Sequence, residues 1–393
     1  MGETNESAQG AKSERAAPAR ITVIGPAYPH RGGIAHYTAC LAHALSESGC
    51  AVQLISFRRL YPRWLFPGKT EFDPSRRPAE FPTERILSPL NPLRWLAAMR
   101  AIARFSPDLV IMAWWHSWFF PWTVFCLAWL RWIQRRRTVL LCHNIGSHDH
   151  RVADSVAWPV LSRLPHAHIV HQSDGPKHIR ALNPKAQVIC SPHPVYEFFC
   201  DAAVTREEAR RRLNLNPSDE VCLVFGLVRR YKGVDIAIEA ARLLQDRPNF
   251  RLLVAGEFYE PRDPYDRMIQ RLGLAGRAIL EDRYIPNEEV ALYYRAADVL
   301  VAPYREASHS GVVQIAVGFG LPVIASDVGG MKDLVSDGET GLLVPAVDAK
   351  ALADAVRRFF DQGLAVVFRQ NIEKQKGRFS WSGLAEKILN MVQ

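Results

Sequence analysis

The sequence has 393 residues, of which 48% are hydrophobic and 23% are charged, and its formal net charge at pH 7 is +9. This composition is ordinary for a globular protein, and the length predicts two or three domains. The positive charge favours anionic partners, but the chain has no basic–aromatic RNA-binding pattern and no zinc-finger spacing, so we expect no nucleic acid partner.

The first 20 residues are polar and small, and we predict that residues 1–20 form a disordered tail. They contain no apolar stretch of the kind found in a secretory signal peptide. The seven cysteines are an odd number and include no C-x-x-C pair. That pattern is typical of reduced thiols rather than of a disulfide framework, so we expect a cytoplasmic location.

Alternating strand and helix patterns predict a first Rossmann-like domain over residues 21–195. A β-branched run at 21–25 is followed by a turn-rich loop, a helix over 34–49 and a second strand at 51–57. This order is a βαβ unit, which implies a parallel sheet. Further strands of this domain are predicted at 108–113, 137–142 and 168–171.

A second alternating series predicts another Rossmann-like domain over residues 200–372. Its strands are predicted at 221–226, 250–256, 298–303, 322–326 and 341–345. Its helices are predicted at 234–244, 287–297, 312–319 and 348–360. We expect a C-terminal helix within 375–393 that packs back on the first domain. The predicted fold class is α/β, with two doubly wound domains facing across a cleft, where ligands bind at the carboxyl ends of strands.

Two loops that follow predicted strands have residue types suited to phosphate. Gly32 and Gly33 precede the first helix, whose free N–H groups and partial positive charge attract anions. Arg229 and Lys232 follow the strand at 221–226, and their guanidinium and ammonium groups suit a diphosphate. Taken alone, the glycines also fit a tight turn without a ligand, and the cations also fit a solvated loop.

The segment 301–330 reads as strand, loop, helix, strand and Gly-Gly loop. Ser310 and Gly311 open its helix and provide a second helix start that can bind an anion. Glu306 lies in the loop before the helix, where a carboxylate can accept hydrogen bonds from sugar hydroxyls or can simply cap the helix.

His143 follows the strand at 137–142 and is expected to point into the cleft, where an imidazole can bond a sugar hydroxyl or a phosphate. The neighbouring His148, Asp149 and His150 could form a metal site with it. No further ligand cluster is evident, and no D-x-D triplet occurs in the chain. We therefore predict that no metal ion takes part.

Taken in order, these motifs resemble those of the family-four glycosyltransferases, a retaining group with the two-Rossmann B-type fold. They are GPAYPHRGGI (25–34), HN (143–144), RRYKG (229–233), the acidic loop before SGVVQIA (310–316), PVIASDVGG (322–330) and DGETGLLVP (337–345). The resemblance covers nearly the whole chain from Ile21 onward. It implies metal-independent transfer of a hexosyl unit from a nucleotide-diphosphate sugar, without another cofactor, to a saccharide or lipid-linked acceptor.

The resemblance also implies roles for particular residues. Positive groups of the second domain stabilise the leaving diphosphate. The residues expected to act in catalysis are His143, Arg229, Lys232 and Glu306. Those expected to contact the donor are Gly32, Gly33, Tyr284, Ile285, Ser310, Gly311, Val312 and Gln314. Those expected to meet the acceptor are Tyr28, His30, Arg31 and His36.

Two departures from the family pattern concern the donor site. Leu227 stands where the family has an arginine, so Arg229 is expected to substitute for it. The family also has two glutamates eight positions apart. Gln314 lies eight positions after Glu306, whereas alignment on the following proline places Ile315 at the second glutamate. Gln314 can still hydrogen-bond a ribose hydroxyl, but as a neutral group.

Residues 109–130 contain no Asp, Glu, Lys or Arg. This stretch is long enough to be tested as a membrane-spanning helix. The strand-like start and the interrupting proline weigh against a span. Aromatic residues recur at helical spacing and are followed by arginines at 135–137. A core helix is one interpretation. Because Trp and Arg also favour anionic membrane surfaces, we predict peripheral contact with the inner face of a membrane.

Other classes of protein fit parts of the pattern. A nucleotide-sugar epimerase of the same fold is one alternative, and a protein that binds a nucleotide sugar without turnover is another. An NAD-dependent dehydrogenase is disfavoured, because the chain lacks the G-x-G-x-x-G fingerprint and the acidic residue that follows it.

Overall fold

The computed structural model describes residues 18–62, 68, 70–76, 78, 80–145, 151–201 and 204–392. Over these residues the chain forms two parallel β-sheets, one of seven strands and one of six. We call the first sheet with its helices the first lobe, and the second sheet with its helices the second lobe. The predicted α/β class is thereby confirmed. Of the tail predicted at 1–20, only residues 18–20 are described.

The first lobe has the strand order β3-β2-β1-β4-β5-β6-β7. Strands β2 and β3 lie on one side of β1, and β4 to β7 follow on its other side. Its strands are β1 (Arg20–Ile24), β2 (Ala51–Phe57), β3 (Thr83–Leu87), β4 (Leu109–Trp114), β5 (Arg137–Cys142), β6 (Ala167–Val170) and β7 (Gln187–Cys190). Its helices are α1 (Gly33–Glu47), α2 (Pro92–Phe105), α3 (Phe120–Ala128), α4 (Arg151–Leu161) and α5 (Gly175–Leu182).

The central strands of this sheet are almost wholly buried, because helices cover both faces. The sequence does not predict β3 and β7, and both lie at the edges of the sheet. Their residues are half exposed and include charged or polar side chains. An edge strand therefore lacks the continuous hydrophobic run by which a central strand is recognised.

The second lobe has the strand order β10-β9-β8-β11-β12-β13, again all parallel. Its strands are β8 (Glu220–Phe225), β9 (Phe250–Ala255), β10 (Ala278–Glu281), β11 (Val299–Ala302), β12 (Val323–Ser326) and β13 (Gly341–Val344). Its helices are α6 (Arg206–Arg212), α7 (Val234–Leu243), α8 (Asp263–Arg271), α9 (Asn287–Ala296), α10 (Gly311–Gly318), α11 (Ala349–Asp361) and α12 (Ala365–Gln375).

The chain passes between the lobes twice, and the two passages lie side by side. The backbone N–H of Val195 donates to the carbonyl of Phe379 at 3.0 Å. The indole N–H of Trp381 donates to the carbonyl of Val195 at 2.7 Å. Trp381 begins α13 (Trp381–Leu389), which packs against α1 of the first lobe. The C-terminal helix thus lies on the first lobe, although the chain before it belongs to the second.

The aromatic segment divides into a buried part and an exposed end. It forms β4, a 3₁₀ turn, α3 and a π-helical turn at Trp129–Ile133. Trp122 is only 2% exposed, whereas Trp132 and Ile133 are 65% and 62% exposed. Nowhere in the described ranges is a helix long and apolar enough to cross a bilayer.

Candidate functional site

A cavity of about 290 Å³ lies between the lobes, where the carboxyl ends of the two sheets face each other. Its wall combines glycines and cations with aromatic and aliphatic side chains from both lobes. The predicted site residues on this wall are Arg31, Gly32, Gly33, His36, Lys232, Tyr284, Ile285, Gly311 and Val312. The sequence therefore brings residues as far apart as Arg31 and Val312 to one site, as the doubly wound topology requires.

The first-lobe wall is formed by the start of α1. Gly32 caps this helix with a φ of 107°, a left-handed conformation that favours glycine. A Cβ atom on Gly32 or Gly33 would meet no heavy atom within 4 Å, so the space beside this helix start is open. The unpaired N–H groups of the first turn therefore border an accessible volume in which an anion can bind.

Lys232 is the central cation of the second-lobe wall. It lies in the short 3₁₀ turn after β8 and is buried. Its ammonium donates to the hydroxyl of Tyr304 at 2.8 Å, and burial lowers its pKa. No carboxylate forms an ion pair with it in the described part of the chain. A buried cation without a counter-ion is costly, so the cavity favours an anionic ligand beside it.

The position of Lys232 depends on the glycine that follows it. Gly233 has a φ of 67°, and a Cβ atom there would lie 2.0 Å from the carbonyl oxygen of Pro303. Only glycine permits this close approach of two backbones. The loop that carries the lysine is thus fixed against the end of β11.

Lys232 is connected to the start of α10 through Tyr304. The Tyr304 hydroxyl lies 3.2 Å from the Ser310 hydroxyl, which caps α10 by accepting from the N–H of Val313. Gly311 and Val312, the first residues of this helix, line the cavity. The ammonium group and the positive end of a helix therefore act on the same volume.

Arg229 lies outside the cavity lining and packs its guanidinium 4.9 Å from the centre of the Tyr259 ring. Leu227, at the position where the family pattern has an arginine, does line the cavity. The structure thus brings Lys232 to the cavity and leaves Arg229 at its margin, behind a tyrosine.

Arg31 links the two lobes across the cavity. Its guanidinium lies 2.6 Å from a carboxylate oxygen of Glu257, and these two side chains are only 4% and 2% exposed. It also donates to the hydroxyl of Tyr259 at 2.9 Å. Because Arg31 belongs to the first lobe and both partners follow β9 in the second, the contact joins the lobes at the site itself.

A loop of the first lobe, residues 71–76, adds further contacts to the second lobe. The carboxylate of Asp73 accepts from the Tyr284 hydroxyl at 3.3 Å and lies 3.4 Å from the imidazole of His36. The hydroxyl of Ser75 accepts from the backbone N–H of Asn287 at 2.8 Å. The predicted acceptor residue His36 and the predicted donor-binding residue Tyr284 therefore meet through one carboxylate.

His143 lies at the end of β5 in a cluster of four histidines, not on the cavity wall. The cluster contains His171 and His193 of the first lobe and His309 of the second, with neighbouring ring centres 5.0–6.2 Å apart. Burial lowers the pKa of all four, to about 3 for His171 and about 4 for His309. The imidazoles are therefore neutral at pH 7.

Glu306 and Gln314 also do not line the cavity. Glu306 is half buried in the loop before α10. Gln314 is fully buried, and its amide atoms have no partner within the described residues. Ile315, its neighbour, lines the cavity instead. Successive helix residues point about 100° apart, so Ile315 shares a face with Val312 while Gln314 points into the lobe.

Two residues predicted to meet the acceptor lie elsewhere in the first lobe. His30 is buried, and its Nε2 lies 2.9 Å from the carbonyl of Phe57. Its ring stacks against Phe72. Tyr28 lines a separate groove with residues 80–83. Arg31 and the two glycines, later in the same loop, do line the cleft.

The metal site considered at His143 is only partly described. His148, Asp149 and His150 lie outside the described residues. Among the described residues, no group of three or more His, Cys, Asp or Glu side chains could hold a metal ion.

Several residues of this region were not predicted from the sequence. Glu257 follows the strand at β9, so the rule that selected the other loops could have found it. Tyr259 and Tyr304 follow strands in the same way. His171, His193 and His309 come from three distant loops, and no spacing in the sequence connects them.

Comparison with known proteins gives two family matches along the chain. The family described as Glycosyltransferase Family 4 matches residues 31–175, and the family described as Glycosyl transferases group 1 matches residues 219–362. The two matches fall on the first and second lobes and follow each other in the expected order.

One curated relative is a lipopolysaccharide core biosynthesis mannosyltransferase of Rhizobium meliloti (strain 1021). It is 35% identical over 165 residues, which are 40% of this chain and 46% of that protein. The chain thus spans about half the length of this relative.

Two solved structures share the architecture over nearly the whole chain. Sucrose-phosphate synthase from Thermosynechococcus elongatus has a TM-score of 0.76 at 23% identity, covering 95% of this chain and 98% of that one. Anabaena Alr3699/HepE, in complex with UDP and glucose, has a TM-score of 0.74 at 17% identity, covering 95% and 99%. These structures establish the likeness in fold.

Proposed function

The chain belongs to the family-four glycosyltransferases, and from that premise we propose that it transfers a hexosyl unit from a nucleotide-diphosphate sugar to a saccharide or lipid-linked acceptor. The reaction retains the anomeric configuration and uses no metal ion. Support for the donor class comes from the cavity between the lobes. Its buried Lys232 has no carboxylate partner among the described residues, and this one observation carries the proposal.

The leaving diphosphate is the group that this cavity suits. Cleavage of the bond between sugar and phosphate develops negative charge on the phosphate oxygen. The Lys232 ammonium and the N–H groups that begin α10 at Gly311 and Val312 are fixed before the reaction, so they stabilise that charge without reorganising. Gly33 adds the start of α1 from the opposite lobe.

The remaining donor contacts are assigned by chemistry and position. Tyr284 and Ile285 offer an aromatic and an aliphatic surface on which a nucleotide base can pack. HepE was solved with UDP and glucose, which makes a uridine nucleotide the first donor to test. With Ile315 on the wall, the ribose hydroxyls have no carboxylate at that position.

His143 and Glu306 do not line the cavity in the present arrangement of the lobes, and in this proposal they contact the transferred sugar only once the lobes close around the bound donor. The Nε2 atom of the neutral His143 imidazole has no hydrogen-bond partner among the described residues, so it can accept or donate one hydrogen bond. Closure of the lobes around the sugar excludes water and favours transfer over hydrolysis.

A thermal-shift screen against UDP, GDP, ADP and their sugars tests the donor class. A ligand at a hundredfold excess over its Kd stabilises a protein by about 2.7 kcal/mol, so one nucleotide series should raise the melting temperature by several degrees. The Lys232→Met variant should lose most of this shift. If no nucleotide stabilises the wild-type protein at millimolar concentration, the proposed donor class is wrong.

Transfer must be measured separately, because an epimerase and a non-catalytic binding protein would give the same thermal shift. The nucleotide that stabilises the protein is supplied as its sugar with a panel of saccharide and lipid-linked acceptors. Release of the free nucleoside diphosphate together with a lengthened acceptor supports a transferase. An isomerised donor with no diphosphate release would indicate an epimerase instead.

We also propose that the first lobe contacts the inner face of a membrane, in line with a lipid-linked acceptor. Trp132 and Ile133 project from the π-helical turn with about two-thirds of their surface exposed, and Arg135 follows them. Aromatic and aliphatic side chains beside cations suit the interface of an anionic bilayer.

The double variant Trp132→Ser with Ile133→Ser tests this contact. Each side chain buries apolar surface worth roughly 1.5–3 kcal/mol on insertion, so vesicle binding should fall at least about tenfold. Flotation with acidic liposomes at low salt measures the change. The control is Val366→Ser with Val367→Ser, a pair on α12 that is also exposed. Equal flotation of all three proteins, or no flotation of the wild type, would contradict the proposal.

A further inference from the structure

A second cavity, of about 630 Å³, lies at the amino ends of the strands of the first sheet, on the side opposite the cleft. Its wall includes Arg137, Ala167 and Gln187, the first residues of β5, β6 and β7. His143, by contrast, follows the last residue of β5 on the cleft side. Since a strand rises about 3.3 Å per residue, the six residues of β5 separate the two edges by about 20 Å.

Among the described residues, the wall of this cavity carries four fixed positive charges and no carboxylate. Its basic residues are Arg131, Arg137, Arg163 and Lys185, and no Asp or Glu is among the lining residues. Within the described ranges none of the four forms an ion pair. We call this cavity the basic cavity.

The negative ends of helices offset only part of this positive charge. The π-helical turn, α4 and α5 all end at this edge, and each helix end carries about half a negative charge. Arg131 donates to the carbonyl of Leu164 at 2.7 Å, and Arg163 to that of Leu182 at 2.8 Å. Three such ends offset about 1.5 charges and leave a clear surplus of positive charge.

Neutral donors complete the wall. His166 accepts from the backbone N–H of Thr138 at its Nδ1, 3.1 Å away, so its proton lies on Nε2. Burial and then the nearby Arg131 and Arg137 lower the pKa of His166, which keeps the ring neutral. The hydroxyl of Ser162 and the amide of Asn183 lie on the same wall.

The C-terminal segment closes one side of the basic cavity. Asn390 and Met391 line it, and the guanidinium of Arg137 donates to the carbonyl of Met391 at 2.7 Å. The cavity therefore has walls from both the first lobe and the end of α13, and its cations are not simply a group of charges on a flat surface.

We propose that the basic cavity binds a phosphate-bearing anion at a site separate from the cleft. Guanidinium groups bind phosphate oxygens in pairs, and the Lys185 ammonium, which has no partner among the described side chains, supplies a further charge. Two sources have this chemistry, a phospholipid headgroup and a soluble phosphate compound. The site does not depend on the transfer activity proposed for the cleft.

The test uses the full chain and the double variant Arg131→Gln with Lys185→Gln. A Lys or Arg near an anionic surface contributes about 1 kcal/mol, or about fivefold in affinity, so two neutralised charges should weaken binding about 25-fold. The single variant Lys185→Gln should weaken it about fivefold. Because Lys185→Gln leaves the Arg131 hydrogen bonds intact, it still tests the proposal if the double variant fails to fold. The control is Arg212→Gln with Arg271→Gln, which removes two exposed charges from the second lobe.

Two probes distinguish the sources. One is flotation with phosphatidylcholine vesicles that contain phosphatidylglycerol, and the other is calorimetry with inorganic phosphate in the Lys232→Met background, which weakens the cleft site. A loss confined to vesicles supports the headgroup, and a loss confined to phosphate supports a soluble compound. If the double variant binds both probes as the control does, the proposal is overturned. Unchanged nucleotide binding in the cleft keeps this outcome distinct from a failure of the proposed function.

Discussion

Replacing Lys232 with methionine is expected to lower the turnover number of sugar transfer by about 100- to 1,000-fold. Loss of a single preorganised group that stabilises developing negative charge has an effect of this size. The methionine side chain retains most of the apolar stem and removes the ammonium. Steady-state kinetics with the donor found in the nucleotide screen measures the effect.

Stability provides the control for this prediction. The ammonium is buried and its pKa is lowered, so the folded state gains nothing from its charge when no anion is bound. The melting temperature of Lys232→Met without ligand should therefore be close to that of the wild type. Arg230→Met, an exposed neighbour, should transfer sugar at nearly the normal rate. A well-folded Lys232→Met protein with wild-type turnover would remove the electrostatic mechanism.

Lowering the pH from 7 to 5.5 is expected to reduce the free energy of unfolding by about 4 kcal/mol. The four clustered histidines have lowered pKa values in the folded protein, whereas in the unfolded chain they bind protons below pH 6.5. Stability is therefore fully present above pH 6.5 and is lost as the pH falls toward pH 4. Each histidine contributes roughly 1 kcal/mol over this interval.

Melting temperatures measured between pH 7.5 and pH 5.5 check the histidine prediction. The double variant His171→Gln with His309→Gln should lose about 2 kcal/mol less than the wild type, because two of the four clustered histidines are gone. The matched control is His178→Gln, which removes an exposed histidine outside the cluster. A wild-type protein whose melting temperature is flat over this range would contradict the cluster's neutral state.

The buried strands are the part of the fold that the sequence makes easiest to predict. β4 and β5 are continuous apolar runs, because helices cover both faces of a parallel sheet. The edge strands β3, β7 and β10 have no such run and were not predicted. Helices α2 and α8 were also not predicted, although Asn91 and Pro92 at the start of α2 and Pro264 in the first turn of α8 are typical helix-start signals.

The candidate site was predictable where a residue's role depends on its place after a strand. Gly33, Lys232 and Gly311 reach the cavity for this reason. Gln314 does not reach the cavity, because successive helix residues point about 100° apart. Counting eight positions from Glu306 selects Gln314, which faces the lobe interior, whereas the next residue faces the cavity. The four-histidine cluster depends on how the lobes meet, which local patterns do not specify.

The paired chain passages at Val195 and Phe379 restrict how the enzyme can move. Two adjacent segments joined by hydrogen bonds resist twisting about their common axis far more than a single linker would, but both can bend together. The lobes are therefore expected to open like a book about this spine, with displacements that grow with distance from Val195 and Phe379. Entry of the donor and departure of the diphosphate would then share a single direction.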